Sequence, residues 1–289
     1  MAKLALYGGP KVHEGPWPTW PRVTERDVER VTDVLRGGRW GLGGTAIDEF
    51  QEAFAAFCDA RHCVCTASGT TALILAMRAL GIGPGDEVIL PPYTFIASAS
   101  SILEVGAVPV FADLEADTLL LDPAAAEAAI TDKTKAIMAA HIGGAPCDMD
   151  AVSAVAERHG LLVVEDAAQA HGAVYRGRKV GAIGHAGAFS FQSSKNLSCG
   201  EGGVVCTNDD EVGERAWSLH NVGRQPPEAR LQHTHIGYNM RMTQLQAALL
   251  LSQMEHLEEQ MARRDASAAR LRRRPRGIAS GRRLARGRL

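Results

Sequence analysis

The stretch HCVCTASGTTALILAMRALG, residues 62–81, determines the fold class. Its first part is a short apolar run that predicts a strand, and its second part predicts a helix that begins at Ser68. The same alternation continues along the chain, as EVILPP then FIASASSILEVG, VPVFAD then DPAAAEAAI, KAIMAAHI then DMDAVSAVAERHG, and finally LLVVEDA. Strands that alternate with helices of this length indicate βαβ units, so we predict an α/β fold with a mostly parallel central sheet flanked by helices.

Length and composition restrict the class of protein. The chain has 289 residues, is 46% hydrophobic and carries a formal net charge of −2, which suits one large α/β domain or one domain and part of a second. We find no apolar stretch long enough to cross a bilayer and expect neither a signal nor a transit peptide. The six cysteines form no C-x-x-C pair, which favours a reducing cytoplasm.

Composition also predicts the domain organisation. Residues 1–24 read as an N-terminal arm, and residues 25–270 as one large domain that ends in a long helix from about Met242 to Leu271. Residues 271–289 form an Arg-rich tail, which we expect to be disordered because it has hardly any residues of the buried type. Eleven arginines and one aspartate follow from Arg263 onward, yet no aromatic residues are interleaved, so a solvated tail is favoured over nucleic-acid binding.

Four features fall at strand ends, where ligands bind in α/β sheets. The segment Ser68-Gly69-Thr70-Thr71 begins a helix, and its free N–H groups and hydroxyls form a phosphate cradle. The segment Glu165-Asp166-Ala167-Ala168-Gln169 ends the buried strand LLVV, where a carboxylate needs a partner or a catalytic role. Two further features are the aromatic residues Tyr93 and Phe95 after EVILPP, and Lys195, which lies in FSFQSSKNLSCGEGG, residues 189–203, with Ser190 shortly before it.

Together these features match the requirements of pyridoxal phosphate (PLP). The cofactor needs its phosphate held, its ring stacked, its pyridine nitrogen kept protonated and its aldehyde bound to an amine. An acid about 4 Å from the ring cation contributes about 4 kcal/mol at an effective dielectric near 20. We therefore predict that the amine of Lys195 binds the aldehyde and moves the proton in the reaction.

Each feature also has a structural interpretation. Ser68 is a good plain helix cap, Asp166 is followed by Ala-Ala-Gln-Ala and could cap a helix, and a lone loop lysine is usually solvated. Phe95 and Tyr93 could be core aromatics. His233 and His235 have no accompanying cysteine or acid cluster, so we predict a loop and no metal site there.

Several blocks, in order between Ala5 and Arg270, resemble a known family: SGTTAL, PPYTFIASA, AHIGGAPCDMDA, VVEDAAQAHGA, FSF-x₃-K-x₄-GEGG and GYNMRM. They are similar to the PLP-dependent sugar aminotransferases of the DegT/DnrJ/StrS type, which implies the aspartate-aminotransferase (type I) fold. The family's small C-terminal domain, about another hundred residues, is expected to be truncated here, because the Arg-rich tail stands in its place. A natural truncation and a shifted reading frame both remain open.

The resemblance implies a role for each matching residue. Lys195 would form the Schiff base, Asp166 would pair with the pyridine nitrogen, and Gln169 would approach the 3′-oxygen. Phe95 would stack on the ring, with Tyr93 as the second candidate.

The resemblance also implies the phosphate site. Gly69, Thr70 and Ser190 would hold the phosphate beside Ser68, and Asn239 would reach the phosphate of the neighbouring subunit in a homodimer with shared sites. His141 and Glu201 match family positions near the site and receive no assigned role.

Within the family, LYGGPKVHEGPWPTWP and the glutamine of SFQ resemble the branch that aminates keto-cyclitols such as scyllo-inosose for aminoglycoside antibiotics. The usual donor there is glutamine, whereas many other members use glutamate. Aminohydroxybenzoate synthases share parts of this signature. The main hypothesis is therefore amino transfer to a keto-cyclitol or keto-sugar. One alternative is a related sugar dehydratase, disfavoured because those enzymes replace the lysine with histidine. The other is a truncated, catalytically idle PLP-binding paralogue or dimerisation partner.

Overall fold

The computed structural model describes residues 3–225 and 232–272. The strands are β1 (His62–Thr66), β2 (Glu87–Leu90), β3 (Val108–Phe111), β4 (Thr134–Ala140), β5 (Leu162–Asp166), β6 (Val174–Tyr175), β7 (Arg178–Lys179), β8 (Ala186–Ser190) and β9 (Gly203–Thr207). The helices are α1 (Glu25–Gly37), α2 (Ala46–Cys58), α3 (Gly69–Ala79), α4 (Ile96–Glu104), α5 (Pro123–Ala128), α6 (Met149–His159), α7 (Asp210–His220), α8 (Gln244–Met254) and α9 (Leu257–Arg272).

Seven of the strands form one sheet in the order β1-β9-β8-β5-β4-β2-β3. Every neighbouring pair from β8 to β3 is parallel, and only β9 runs antiparallel to its neighbours β8 and β1. The predicted α/β class with a mostly parallel sheet is confirmed. The parallel register places the ends of β4, β5 and β8 side by side, since Ala140 pairs with Asp166, and Asp166 with Ala188.

The sheet is the middle layer of three, because strand side chains alternate between its two faces. One face carries side chains such as Val164 and Ala188, which pack with buried residues of α3, α4 and α7. The other face carries Val163 and Phe189, which pack in two further clusters with residues of α2 and α8 and of α5 and α6. Consecutive residues of β5 therefore point to opposite layers.

Helix α3 begins with a reciprocal cap that positions its N-terminus at the sheet edge. The Ser68 hydroxyl accepts from the Thr71 amide at 3.1 Å, and the Thr71 hydroxyl accepts from the Ser68 amide at 2.9 Å. This capping box satisfies two donors that would otherwise be free at the helix start. The rest of α3 is almost wholly buried against the sheet, so its N-terminal end is held rigidly.

The long helix predicted from about Met242 to Leu271 is two helices, α8 and α9, and the prediction of one continuous helix is wrong. At the break, the amides of Glu255 and His256 donate to carbonyls three residues earlier, Ser252 and Gln253. These tighter turns interrupt the α-helical pattern. The Glu255 carboxylate also pairs with Arg30 of α1 at 3.0 Å, which anchors the break to the neighbouring helix.

The two ends of the chain differ in what the structure describes. Residues 3–24, the predicted arm, are almost entirely exposed, and α1 then begins at the predicted cap Thr24. Helix α9 extends to Arg272, two residues into the predicted tail, and the remainder of that tail lies outside the described residues. Within residues 3–225 and 232–272, no helix is both long and apolar enough to cross a membrane.

Candidate active site

A cavity of about 580 Å³ lies at the carboxyl ends of β4, β5 and β8. This edge of an α/β sheet is where ligands bind. Of the residues predicted for the site, the cavity is lined by Ser68, Gly69, Thr70, Phe95, Asp166, Gln169, Ser190 and Lys195. His141 and Glu201 line it too. Residues from six separate segments therefore meet at one place.

The acid of the cavity, Asp166, is only 7% exposed and is held by two donors. The Ser98 hydroxyl donates to its Oδ2 at 2.6 Å, and the Ala168 amide donates to its Oδ1 at 3.1 Å. Each carboxylate oxygen keeps further lone-pair capacity for a donor on a ligand. The position at the strand end, predicted from the sequence, thus presents an acceptor to the cavity.

Lys195 lies in a tight turn that presents its amine to the cavity. Its amide donates to the Gln192 carbonyl at 2.8 Å, and the Gln192 side chain accepts from the Ser194 amide at 2.8 Å. Partial burial lowers the pKa of Lys195, and the negative charge of Asp166 opposes that shift. A lowered pKa increases the neutral, nucleophilic fraction of the amine at neutral pH.

The start of α3 and the end of β8, which were predicted to hold a phosphate, lie side by side at the cavity. The Gly69 and Thr70 amides precede the first helical hydrogen bond, which runs from Ala72 to Ser68. Such first-turn N–H groups are unsatisfied within the helix and attract anions. A Cβ on Gly69 would lie 2.6 Å from the Cβ of Ser190, so glycine is required for these two segments to approach.

Gln169 and Phe95 contribute an amide and an aromatic side chain to the cavity lining. The Gln169 Oε1 accepts from the Gly143 amide at 2.8 Å, so its NH₂ group is the part left to donate to a ligand. Phe95 directly precedes α4, and its side chain lines the cavity although the residue is 63% exposed. The residues present fit PLP: an amine, an acid, a donor, an aromatic face and an anion cradle.

Two predicted residues do not line the cavity. Tyr93 is 54% exposed and lies outside the lining, so Phe95 is the aromatic residue that the structure brings to the site. Asn239 is also exposed, and its side-chain oxygen accepts from the Arg241 amide at 3.4 Å. Its predicted role concerns a neighbouring subunit and stays a prediction.

Sequence reasoning missed four polar residues at the site. Thr94, Gln192 and Ser194 line the cavity, and the Ser98 hydroxyl donates to Asp166. The spacing of Thr94 and Ser98, four residues apart at a helix start, was the available signal, because such residues share one helix face. In the described ranges, no group of three or more metal-ligating side chains comes together.

A type I sheet in which an amine, an acid and a phosphate cradle share one cavity defines the large domain of a PLP-dependent transferase. The chain belongs to the DegT/DnrJ/EryC1/StrS aminotransferase family, which matches residues 21–283. The predicted family is thereby confirmed.

Named relatives are similar over most of the chain. The L-glutamine:2-deoxy-scyllo-inosose aminotransferase of Streptomyces lividus is 47% identical over 283 residues, which cover 93% of this chain and 67% of the relative. The chain thus spans about two thirds of the length of such relatives.

Solved structures agree with the fold. A 3-amino-5-hydroxybenzoic acid synthase superposes with a TM-score of 0.86 at 39% identity, covering 89% of this chain and 68% of that one. The PLP form of a putative sugar aminotransferase from Streptococcus pneumoniae superposes with a TM-score of 0.82 at 32% identity, covering 89% and 70%. The predicted type I fold of PLP enzymes is confirmed.

Proposed function

We propose that this protein is a PLP-dependent aminotransferase that moves an amino group from glutamine, or glutamate, to the ketone of a cyclitol of the scyllo-inosose class. The observation that carries the proposal is the meeting of Lys195, Asp166 and the Gly69 cradle around one cavity. The similarity to a glutamine:2-deoxy-scyllo-inosose aminotransferase supports the donor and the acceptor class. The pathway would be aminoglycoside antibiotic biosynthesis.

Each group of residues in the cavity would have its own role toward the cofactor and the substrate. Bound PLP supplies an electron-withdrawing ring that stabilises negative charge at the substrate carbon. The Gly69 and Thr70 amides and the Ser190 hydroxyl would hold its phosphate, and the Asp166 carboxylate would hold the proton on its ring nitrogen. The amine of Lys195, whose pKa is lowered by burial, would accept a proton from the substrate carbon and return it.

We further propose that the chain works as a homodimer in the cytoplasm. Large apolar side chains stand exposed beside the cavity mouth, among them Phe95 at 63% and Ile96 at 71%. A second copy would cover such a patch and bring its own Asn239 toward the site. The six free, buried thiols suit a reducing compartment.

Cofactor binding tests the proposal directly. The purified protein mixed with PLP should gain a near-visible absorbance band, and borohydride should bleach it and fix the cofactor on the peptide that contains Lys195. Lys195→Ala should lose both the fixed label and amino transfer, whereas exposed Lys133→Ala should keep them. A wild-type protein that binds no PLP, or appreciable turnover by Lys195→Ala, would refute the assignment.

Turnover then separates the two remaining functions. With PLP bound, glutamine should bleach the band, and an inosose should restore it and yield an aminocyclitol detectable by mass spectrometry. Binding of PLP without any reaction toward glutamine, glutamate or alanine would favour the idle paralogue instead. Loss of water from the cyclitol without gain of nitrogen would favour a dehydratase.

A further inference from the structure

Three side chains form a chain of hydrogen bonds in which a buried serine joins two residues that line the cavity. The hydroxyls of Thr94 and Ser98 are 2.7 Å apart, and the Ser98 hydroxyl is 2.6 Å from Oδ2 of Asp166. Thr94 lines the cavity, whereas Ser98 is completely buried. Helix α4 begins between them in sequence, so one turn of helix joins the cavity wall to the acid.

The direction of each hydrogen bond follows from counting protons. A carboxylate only accepts, so the single proton of the Ser98 hydroxyl points at Asp166. The contact between Ser98 and Thr94 then requires the proton of Thr94. The Thr94 oxygen is left with lone pairs alone for a ligand. Both hydroxyls thus donate toward the acid, and each polarises the next.

We propose that Ser98 and Thr94 are positioning residues, which hold the Asp166 carboxylate in one orientation toward the ring nitrogen of the cofactor. The inference rests on the proposed function for the identity of that ligand. The remaining oxygen of Asp166 is held by the Ala168 amide at 3.1 Å. Two donors on opposite oxygens prevent the carboxylate from turning, and removal of Ser98 frees one side of it.

Thr94 is also an acceptor that faces the ligand. With its proton committed to Ser98, its oxygen accepts from a hydroxyl or ammonium group and offers no donor in return. A cyclitol is rich in hydroxyl donors, so this polarity suits the substrate class that we propose. A valine at this position would have the same shape but would neither donate to Ser98 nor accept from the ligand.

Four variants test the chain of hydrogen bonds. Ser98→Ala removes the donor to Asp166, and Thr94→Val removes the outer hydroxyl from an accessible wall. Thr94→Ser keeps the hydroxyl and is the rescue variant. Ser100→Ala, on the same helix but exposed, is the matched control. Melting temperatures of all four, compared with wild type, identify any variant that fails to fold, in which case Thr94→Val and Thr94→Ser decide.

Cofactor affinity and ring protonation are the first measurements. Loss of a hydrogen bond to a charged group should raise the dissociation constant of PLP about tenfold in Ser98→Ala, and about threefold in Thr94→Val. Nitrogen NMR of ring-labelled PLP should show a partly deprotonated ring nitrogen in both. Thr94→Ser and Ser100→Ala should match wild type. Wild-type affinity and wild-type nitrogen signals in Ser98→Ala and Thr94→Val would overturn the inference.

Crystal structures of the protein without cofactor give an independent answer. The Asp166 carboxylate should keep its orientation in wild type and in Thr94→Ser, and should rotate in Ser98→Ala. An unmoved carboxylate in Ser98→Ala would refute the positioning role. A wild-type protein that binds no PLP would refute the proposed function but not the positioning role of Ser98. The orientation of Asp166 in the cofactor-free crystals would still test that role.

Discussion

The Nε2 atom of His141 lies 3.0 Å from the Glu165 carboxylate, and both side chains are fully buried. The Cys147 amide donates to the other ring nitrogen of His141, at 3.1 Å, so Nε2 carries a proton, which points at Glu165. His141 lines the cavity, and Glu165 directly precedes Asp166, which also lines it. The contact between His141 and Glu165 therefore joins the ends of β4 and β5 beside the cavity.

Glu165 has further partners. Its two oxygens accept from the amides of Gly181, Ile183 and Gly184, each at 2.7 Å. Burial alone would raise the pKa of Glu165, but His141 and the amides of Gly181 and Gly184 lower it overall. The side chain is therefore a buried carboxylate, which ties the turn at residues 181–184 to the end of β5.

Substitution of Glu165 tests that role. In Glu165→Gln an NH₂ group must face N–H donors, so we expect the free energy of unfolding to fall by about 3 kcal/mol. Urea unfolding measures the change, with exposed Glu157→Gln as the control. Equal stability of the two variants would show that the buried carboxylate contributes nothing.

The same variant should change the pH dependence of stability. The pKa of Glu165 is lower in the folded protein than in the unfolded chain. Its contribution is therefore complete above the unfolded value of about 4.3 and is lost as pH falls through the folded pKa. We expect the difference between wild type and Glu165→Gln to shrink below about pH 4, measured by unfolding at a series of pH values.

Removal of the charge at Asp166 should change the chemistry of Lys195. Burial lowers the lysine pKa and the carboxylate raises it, so Asp166→Asn should lower the pKa of Lys195 further. In the cofactor-free protein, trinitrobenzenesulfonate should then modify Lys195 fully at a lower pH, as quantified by peptide mass spectrometry. The control is exposed Asp132→Asn. If Lys195 of Asp166→Asn required a higher pH than wild type for half-maximal modification, the electrostatic coupling between the two residues would be contradicted.

A methyl group at the cradle should separate α3 from β8. The Cβ of alanine at position 69 would lie 2.6 Å from Cβ and 3.1 Å from Cα of Ser190, so one segment must move. We expect Gly69→Ala to destabilise the protein by about 2 kcal/mol and to weaken PLP binding at least tenfold. Gly41→Ala, with no atom within 4 Å of the added carbon, is the matched control for thermal unfolding and PLP titration.

One buried amide contributes to the contact between α1 and α8. The Gln253 Nε2 atom is 3.0 Å from each oxygen of Asp27, and these bonds help to lower the pKa of Asp27 although burial opposes the charge. Gln253→Met should therefore lower the free energy of unfolding by about 2 kcal/mol. The control Gln232→Met, at an exposed position, should leave the free energy of unfolding unchanged. A similar decrease in both variants would show that the contact with Asp27 is not the cause.

Much of the fold was predictable from the sequence because its signals are local. Thr24 and Ser68 cap their helices through bonds to residues three positions later, and such contacts form within one turn. The break between α8 and α9 was not predictable, because Glu255 is drawn to arginines of α1 more than two hundred residues earlier.

The sequence by itself predicted the alternation of strands and helices, and it singled out Lys195 and, through the family resemblance, Asp166. The tertiary structure supplies the physical reason that Asp166, and not the adjacent Glu165, lines the cavity. The pleat turns Asp166 toward the cavity, and it turns Glu165 away from Asp166, toward the Nε2 atom of His141. It also brought Ser98 to Asp166 across 68 residues, because hydrogen bonding at that separation depends on how α4 packs and not on local sequence.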